Sequence, residues 1–171
     1  MIIKLFGMAV ILFSSVAIGF RTADTMESRE SELRNLSDAL TLMLGELSYT
    51  HLSIKDIFVK VMPLVKGEAD ELFRNICGEL EKGESTSKAW ADSVVTCSPL
   101  LPFKTSDCEV LEKSGYLLEA YGLEEQKTNL NALKHRVDLL ASDAEEFKKK
   151  NSRIARLLGI YGGLLLCIIV F

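Results

Sequence analysis

Apolar positions crowd both ends of this chain and recur at helical spacing in between. Residues 2–20 carry one charge, Lys4, and residues 157–171 carry none. All 24 acidic residues and 19 of the 20 basic ones lie between those stretches. The partition predicts two membrane segments, 1–20 and 157–171, around a polar domain of 21–156. At ~1.5 Å per residue the first stretch reaches about 28 Å, close to the thickness of a hydrocarbon layer. The second reaches about 23 Å, and Ile154 and Ala155 extend it where Arg156 stretches toward the interface. Ser15 and Gly19 on one segment match Gly159 and Gly163 on the other in depth. Small residues four apart are what two closely packed antiparallel membrane helices use.

Inside the polar region the periodicity is helical throughout. Met26, Leu33, Leu36, Leu40, Met43 and Leu47 predict an amphipathic helix over 27–49, continuous with the apolar stretch because no proline intervenes. Ser53, with Asp56 three residues on, predicts the start of a helix through Ile54, Ile57, Phe58, Val61 and Met62. Pro63 and Gly67 interrupt the chain, and a helix over 68–81 follows, buried through Leu72, Phe73, Ile76 and Leu80 and ended by Gly83. Ser85-Thr86-Ser87 opens a short helix carrying Ala89 and Trp90. Pro99 and Pro102 make 94–105 the longest expected loop. Ser106 and Glu109 read as a capping box for a helix holding Val110, Leu111, Leu118 and Tyr121, with Gly122 closing it. From Gln126 to Tyr161 one seam, apolar except at Gln126 and Asn151, alternates at four and three without a slip, through Leu130, Leu133, Val137, Leu140, Ala144, Phe147, Asn151, Ile154 and Leu158. One helix therefore runs from the domain into the second apolar stretch. Its seam fits an intramolecular bundle better than a coiled coil between copies, although a homo-oligomer is the alternative. The fold class is all-α: an antiparallel helical bundle flanked by an N-terminal and a C-terminal transmembrane helix.

Charge narrows the function. Residues 21–156 hold 19 basic and 24 acidic side chains, a formal −5, which is not the footprint of a nucleic-acid binder. Lys148, Lys149, Lys150, Arg153 and Arg156 precede the second apolar stretch and Arg21 follows the first, while Lys4 stands alone beyond them. The positive-inside rule then puts the central domain in the cytoplasm. Glu145 with Lys149 and Glu146 with Lys150 also form i,i+4 pairs on a solvated face. Cys77, Cys97 and Cys108 in the polar region are odd in number and read as small buried apolar side chains, with Cys97–Cys108 the conceivable pair under oxidising conditions. No phosphate-cradling glycine loop, zinc-protease helix or nucleophile elbow occurs. His51 and His135 have no nearby cysteine that would suggest a metal. The reading is an interaction protein with no enzyme activity, cofactor, metal or small-molecule substrate. The competing reading is a secreted or signal-anchored helical interaction protein, cleaved near Ala17-Ile18-Gly19.

Several local patterns then converge. They are Lys4-Leu5-Phe6-Gly7 with Ser15 and Gly19-Phe20; Leu36, Leu40 and Glu46-Leu47-x-Tyr49; and Ala89-Trp90. Asp107, Leu111, Gly115, Leu118 and Gln126 follow, then Leu158-Gly159, Gly163-Leu164-Leu165-Leu166 and Ile168. In order and spacing the chain resembles the stage III sporulation protein AB family of endospore-forming bacteria nearly end to end. Two departures stand out: Glu119 and Gly122 replace a glycine and an acid of that pattern, and His51-Leu52-Ser53-Ile54 lacks its proline. The resemblance implies a multi-pass component of the channel complex between mother cell and forespore, in the mother-cell membrane surrounding the forespore, needed for forespore development. It also implies a domain similar to the cytoplasmic domains of platform proteins in type II secretion and type IV pilus machines. The implied partners are a secretion-type ATPase and membrane ring subunits of the same complex. Glu46, Tyr49, Trp90 and Gln126 are the family-matched structural or contact positions.

Overall fold

A computed structural model describes residues 2–50, 52–119 and 122–170, and the side chains of all of these except 2–5 and 170. His51 and Tyr121, both singled out above, lie outside the described residues. The described residues form six α-helices and no strand: α1 (Ile2–Tyr49), α2 (Ile54–Val61), α3 (Ala69–Glu81), α4 (Thr86–Cys97), α5 (Thr105–Lys113) and α6 (Leu123–Val170). Short 3-10 turns at Met62–Leu64 and Gly115–Leu118 complete the path. Two compact units result, one made of Met1–Glu30 with Asp143–Phe171 and the other of Ser31–Ser142. Helices α1 and α6, each of 48 residues, contribute to both.

The Ser31–Ser142 unit is built on the apolar stripes read above. Leu36, Leu40, Met43 and Leu47 of α1 are buried with Ile57, Phe58 and Val61 of α2, Leu72, Phe73 and Ile76 of α3, and Leu130, Leu133 and Val137 of α6. Helix starts follow local chemistry. Ser53 Oγ accepts from Asp56 N–H at 3.3 Å and donates to the Asp56 carboxylate at 2.6 Å. Ser85 Oγ accepts from Lys88 N–H at 3.3 Å. Helix α3 has no capping side chain of its own. Glu32 of α1 reaches across instead, its buried carboxylate accepting from Ala69 N–H at 3.1 Å and from Asn35 at 3.1 Å. Gly67, in the left-handed region at φ 69°, lets the loop fold against that carboxylate, where a Cβ would collide with it.

Three expectations are corrected between residues 94 and 122. Helix α4 continues to Cys97, burying Val94 and Cys97, so the loop spans only 98–104. Pro99 cannot donate to the helix but lies beyond its end, and it therefore limits α4 less than the sequence suggests. Helix α5 starts at Thr105, not after Ser106, and the reach-back bond is Lys104 N–H to Asp107 at 2.9 Å. It ends at Lys113 and passes into the 3-10 turn Gly115–Leu118, so Leu118 is not on it and Gly122 precedes α6 instead of closing α5. The reason is steric. Gly115 lies so close to α4 that a Cβ there would sit 2.8 Å from Ser87 O and 3.2 Å from Trp90.

Removing the Glu32 carboxylate leaves a buried N–H at the start of α3 without its acceptor. Glu32→Ala is expected to cost about 1–3 kcal/mol, read as a lowered melting temperature through the fluorescence of the single tryptophan, Trp90.

Asp138 supplies a pH test. Partial burial pushes its carboxyl up, but hydrogen bonds from Lys134 and Ser37 outweigh this and hold it below the ordinary carboxylate value. A carboxyl depressed on folding stabilises the fold above its unfolded pKa, and that stabilisation is lost as pH falls through the folded value. Because the side chain is 42% exposed the effect is small. Asp138→Asn is expected to lose roughly 0.5 kcal/mol at neutral pH. The gap from wild type should close on acidification, measured by melts across the carboxylate range.

Candidate membrane hairpin and contact sites

In the unit formed by Met1–Glu30 and Asp143–Phe171, α1 and α6 run antiparallel. The outward faces are apolar and open: Phe6 is 72% exposed, Phe13 79%, Leu158 66% and Ile168 77%. Surface of this kind is not left to water by a folded domain. Both helices are long and apolar enough to cross a membrane, and their most apolar stretches are mostly exposed, unlike the core helix of a soluble protein.

The inward faces are small. The structure brings Ser15, Gly19, Gly159 and Gly163 together. A Cβ on Gly19 would lie 2.8 Å from Gly159 Cα and 2.8 Å from Ala155 O. One on Gly163 would lie 3.0 Å from Ser15 Cβ. Ser15 Oγ donates to Gly159 O at 2.7 Å, tying the two backbones where they come closest. Farther along, the Cys167 thiol donates to Met8 O at 3.5 Å, a contact that spacing alone did not reveal.

Charges take over where the apolar stretches end. Arg156 Cζ sits 5.7 Å from the centre of the Phe20 ring, and its guanidinium is 4.0 Å from Glu27. Lys148 pairs with Glu30 at 2.8 Å, and the buried Arg29 with Asp143 at 3.0 Å. Lys149 with Glu145 and Lys150 with Glu146 make the i,i+4 pairs read from sequence, each at 2.5 Å. The pairs between helices were not legible, because each joins residues more than a hundred positions apart. The heptad seam of α6 changes character in this region: Leu130, Leu133, Val137 and Ala144 are buried, whereas Ile154, Leu158 and Tyr161 are exposed.

The four family-matched positions do not form one site. Trp90 is wholly buried, with its indole N–H donating to Leu111 O at 2.7 Å, so it ties α4 to α5. Glu46 pairs with Lys60 at 2.5 Å, joining α1 to α2. Tyr49 ends α1 and is 92% exposed. Gln126, in the first turn of α6, lines a hollow of ≈ 510 Å³ with Ser53, Ile54, Ser85 and Leu118. His135 is exposed on α6, and the described residues contain no grouping of His, Cys, Asp and Glu suited to a metal.

Comparison with known proteins gives a consistent picture. A family model described as stage III sporulation protein AB matches residues 4–171. The stage III sporulation protein AB of Bacillus subtilis (strain 168) is 26% identical over 169 residues, covering 98% of this chain and 99% of that protein. A solved structure of a stage III sporulation protein AB aligns with a TM-score of 0.63 at 24% identity, covering 71% of this chain and 96% of the other, and is a likeness of fold.

The hairpin contact is testable directly. With Ser15→Cys and Gly163→Cys in the full chain, mild oxidation is expected to join the two cysteines, as peptide mass spectrometry would show. Adding Gly159→Leu places a branched side chain where the backbones meet, at about 1–3 kcal/mol of overpacking, and is expected to suppress the cross-link.

Proposed function

The chain belongs to the stage III sporulation protein AB family, and on that footing we propose that it is a non-catalytic membrane platform of the sporulation channel between mother cell and forespore. The observation that carries this reading is the division of labour along α1 and α6. Each helix supplies an exposed apolar stretch with a small inner face, and each also supplies core residues of a separate helical unit: Leu36, Leu40 and Met43 from α1, and Leu130, Leu133 and Val137 from α6. A lipid anchor and a folded body that share two unbroken helices suit a part that holds other parts in place.

In this reading residues 1–20 and 157–171 cross the mother-cell membrane, and 21–156 faces the cytoplasm, on the side of Arg21 and the 148–156 basic run. Contact between Gly19 and Gly159 supports retention of the first segment, since cleavage at Gly19 would remove the partner of Gly159. The partners are then the secretion-type ATPase of the same complex, met in the cytoplasm, and its membrane ring subunits. Tyr49, 92% exposed, is the natural first contact for one of them. This assignment rests on likeness to platform proteins and is argued at the level of fold.

Deleting residues 157–171 tests the anchor. The shortened chain is expected to leave the carbonate-resistant membrane fraction, to keep its helical circular dichroism, and to fail to support spore formation. Normal spore yield from the shortened chain would remove the anchoring role.

A further inference from the structure

The basic run before the second apolar stretch is not uniformly available. Lys148, Lys149 and Lys150 are each held by a glutamate within 2.8 Å, and Arg29 by Asp143. Three guanidiniums are left at the boundary. Arg21 and Arg153 are exposed and pair with no carboxylate among the described residues. Arg156 is 45% exposed, lies over the Phe20 ring, and meets Glu27 only at 4.0 Å. The close contact of Gly19 with Ala155 sets their level. Arg21 is two residues beyond it on α1 and Arg153 two residues before it on α6, so both sit about 3 Å past the contact on the domain side. Two residues along a helix turn a side chain to the far side. Arg21 and Arg153 therefore emerge on the outer faces of the hairpin, with Arg156 between them.

We propose that Arg21, Arg153 and Arg156 form a collar that binds the headgroup phosphates of anionic phospholipids, giving the hairpin a preference for negatively charged membrane. The proposal rests on the membrane reading of the hairpin. The occupant is lipid and not a soluble phosphate because the three groups fall within about 5 Å of one another along the helix axes, beside the exposed apolar faces of the hairpin. A headgroup layer at that level presents a phosphate to each of them. Guanidiniums engage phosphate oxygens in pairs, and their positive charge favours headgroups of net negative charge over zwitterionic ones. The neighbouring lysines, already paired with glutamates, add little to that preference.

The full chain in mixed phosphatidylcholine and phosphatidylglycerol is released into native mass spectrometry, and retained lipids are counted. Wild type is expected to hold phosphatidylglycerol in preference to phosphatidylcholine. Arg21→Gln/Arg153→Gln/Arg156→Gln is expected to lose that preference, and Lys149→Gln/Lys150→Gln to keep it. Arg153→Gln alone, at an exposed side chain with no carboxylate partner among the described residues, should lower it even if the triple variant folds poorly. No preference in wild type, an equal loss in the lysine variant, or displacement of the lipid by millimolar inorganic phosphate overturns the proposal. Carbonate extraction of wild type separates the two readings: a protein that washes off refutes the membrane hairpin, while one that stays without lipid preference refutes only the collar.

Discussion

Gly19 and Gly159 set the terms for the hairpin. Two backbones that approach within the space of a missing Cβ have one workable register, because sliding either helix by a residue drives a side chain into the facing chain. Once that register holds, Ser15 can bond Gly159 O, the Cys167 thiol lies over Met8 O, and Arg156 lies over Phe20. The hydrogen bond from Ser15 matters more in an apolar setting than in water, since no solvent competes for the hydroxyl there. Small residues inside and large apolar ones outside are opposite to the arrangement of a soluble helical pair. There, large side chains fill the interface and polar ones face out.

The Ser31–Ser142 unit solves a different problem, that of holding short helices of 8, 13, 12 and 9 residues. Helices this short are marginal alone and depend on tertiary contacts. Three devices recur. A side chain from a long helix caps a short one, as Glu32 does for α3. A buried polar atom is tied to a neighbouring backbone, as the Trp90 indole is to Leu111 O. A glycine admits close approach, as Gly115 does against α4. Each fixes a connection that apolar burial alone would leave free to slide, since hydrophobic contact is non-directional.

The long-period features were legible and the short-range ones less so. The heptad of α6 and the stripe on α1 announced themselves because dozens of residues vote on one period and no proline breaks it. The meeting of Ser15, Gly19, Gly159 and Gly163 was legible from spacing, since matched depth leaves few ways to pack two apolar helices. The end of α4 was missed because Pro99 and Pro102 dominate the local signal, although a proline acts on residues before it only as far as its own ring reaches. The start of α5 was misread because Ser106 and Glu109 have the right spacing for a capping box, while Asp107 two positions earlier in the pattern forms the bond that occurs. Glu32 had no signal at all. A carboxylate among many on a helix looks solvated until the fold carries a distant N–H to it.

The same limit governs the charges beside the apolar stretches. Counted along the chain, the run from Lys148 to Arg156 is five positive groups and reads as one block of charge. In three dimensions Glu30, Glu145 and Glu146 neutralise its lysines, and what remains is arginine placed at the edge of the apolar surface. Lysine and arginine are not interchangeable in that division. A lysine ammonium paired to glutamate serves as a point charge on a solvated helix, whereas the Arg156 guanidinium sits over the Phe20 ring, 5.7 Å from its centre. A topology argument that counts positive residues therefore overstates their number and understates their order. The arginines stand within one helical turn of the Gly19–Ala155 contact, beside the exposed apolar faces, so the positive-inside orientation rests on fewer groups than the count along the chain suggests.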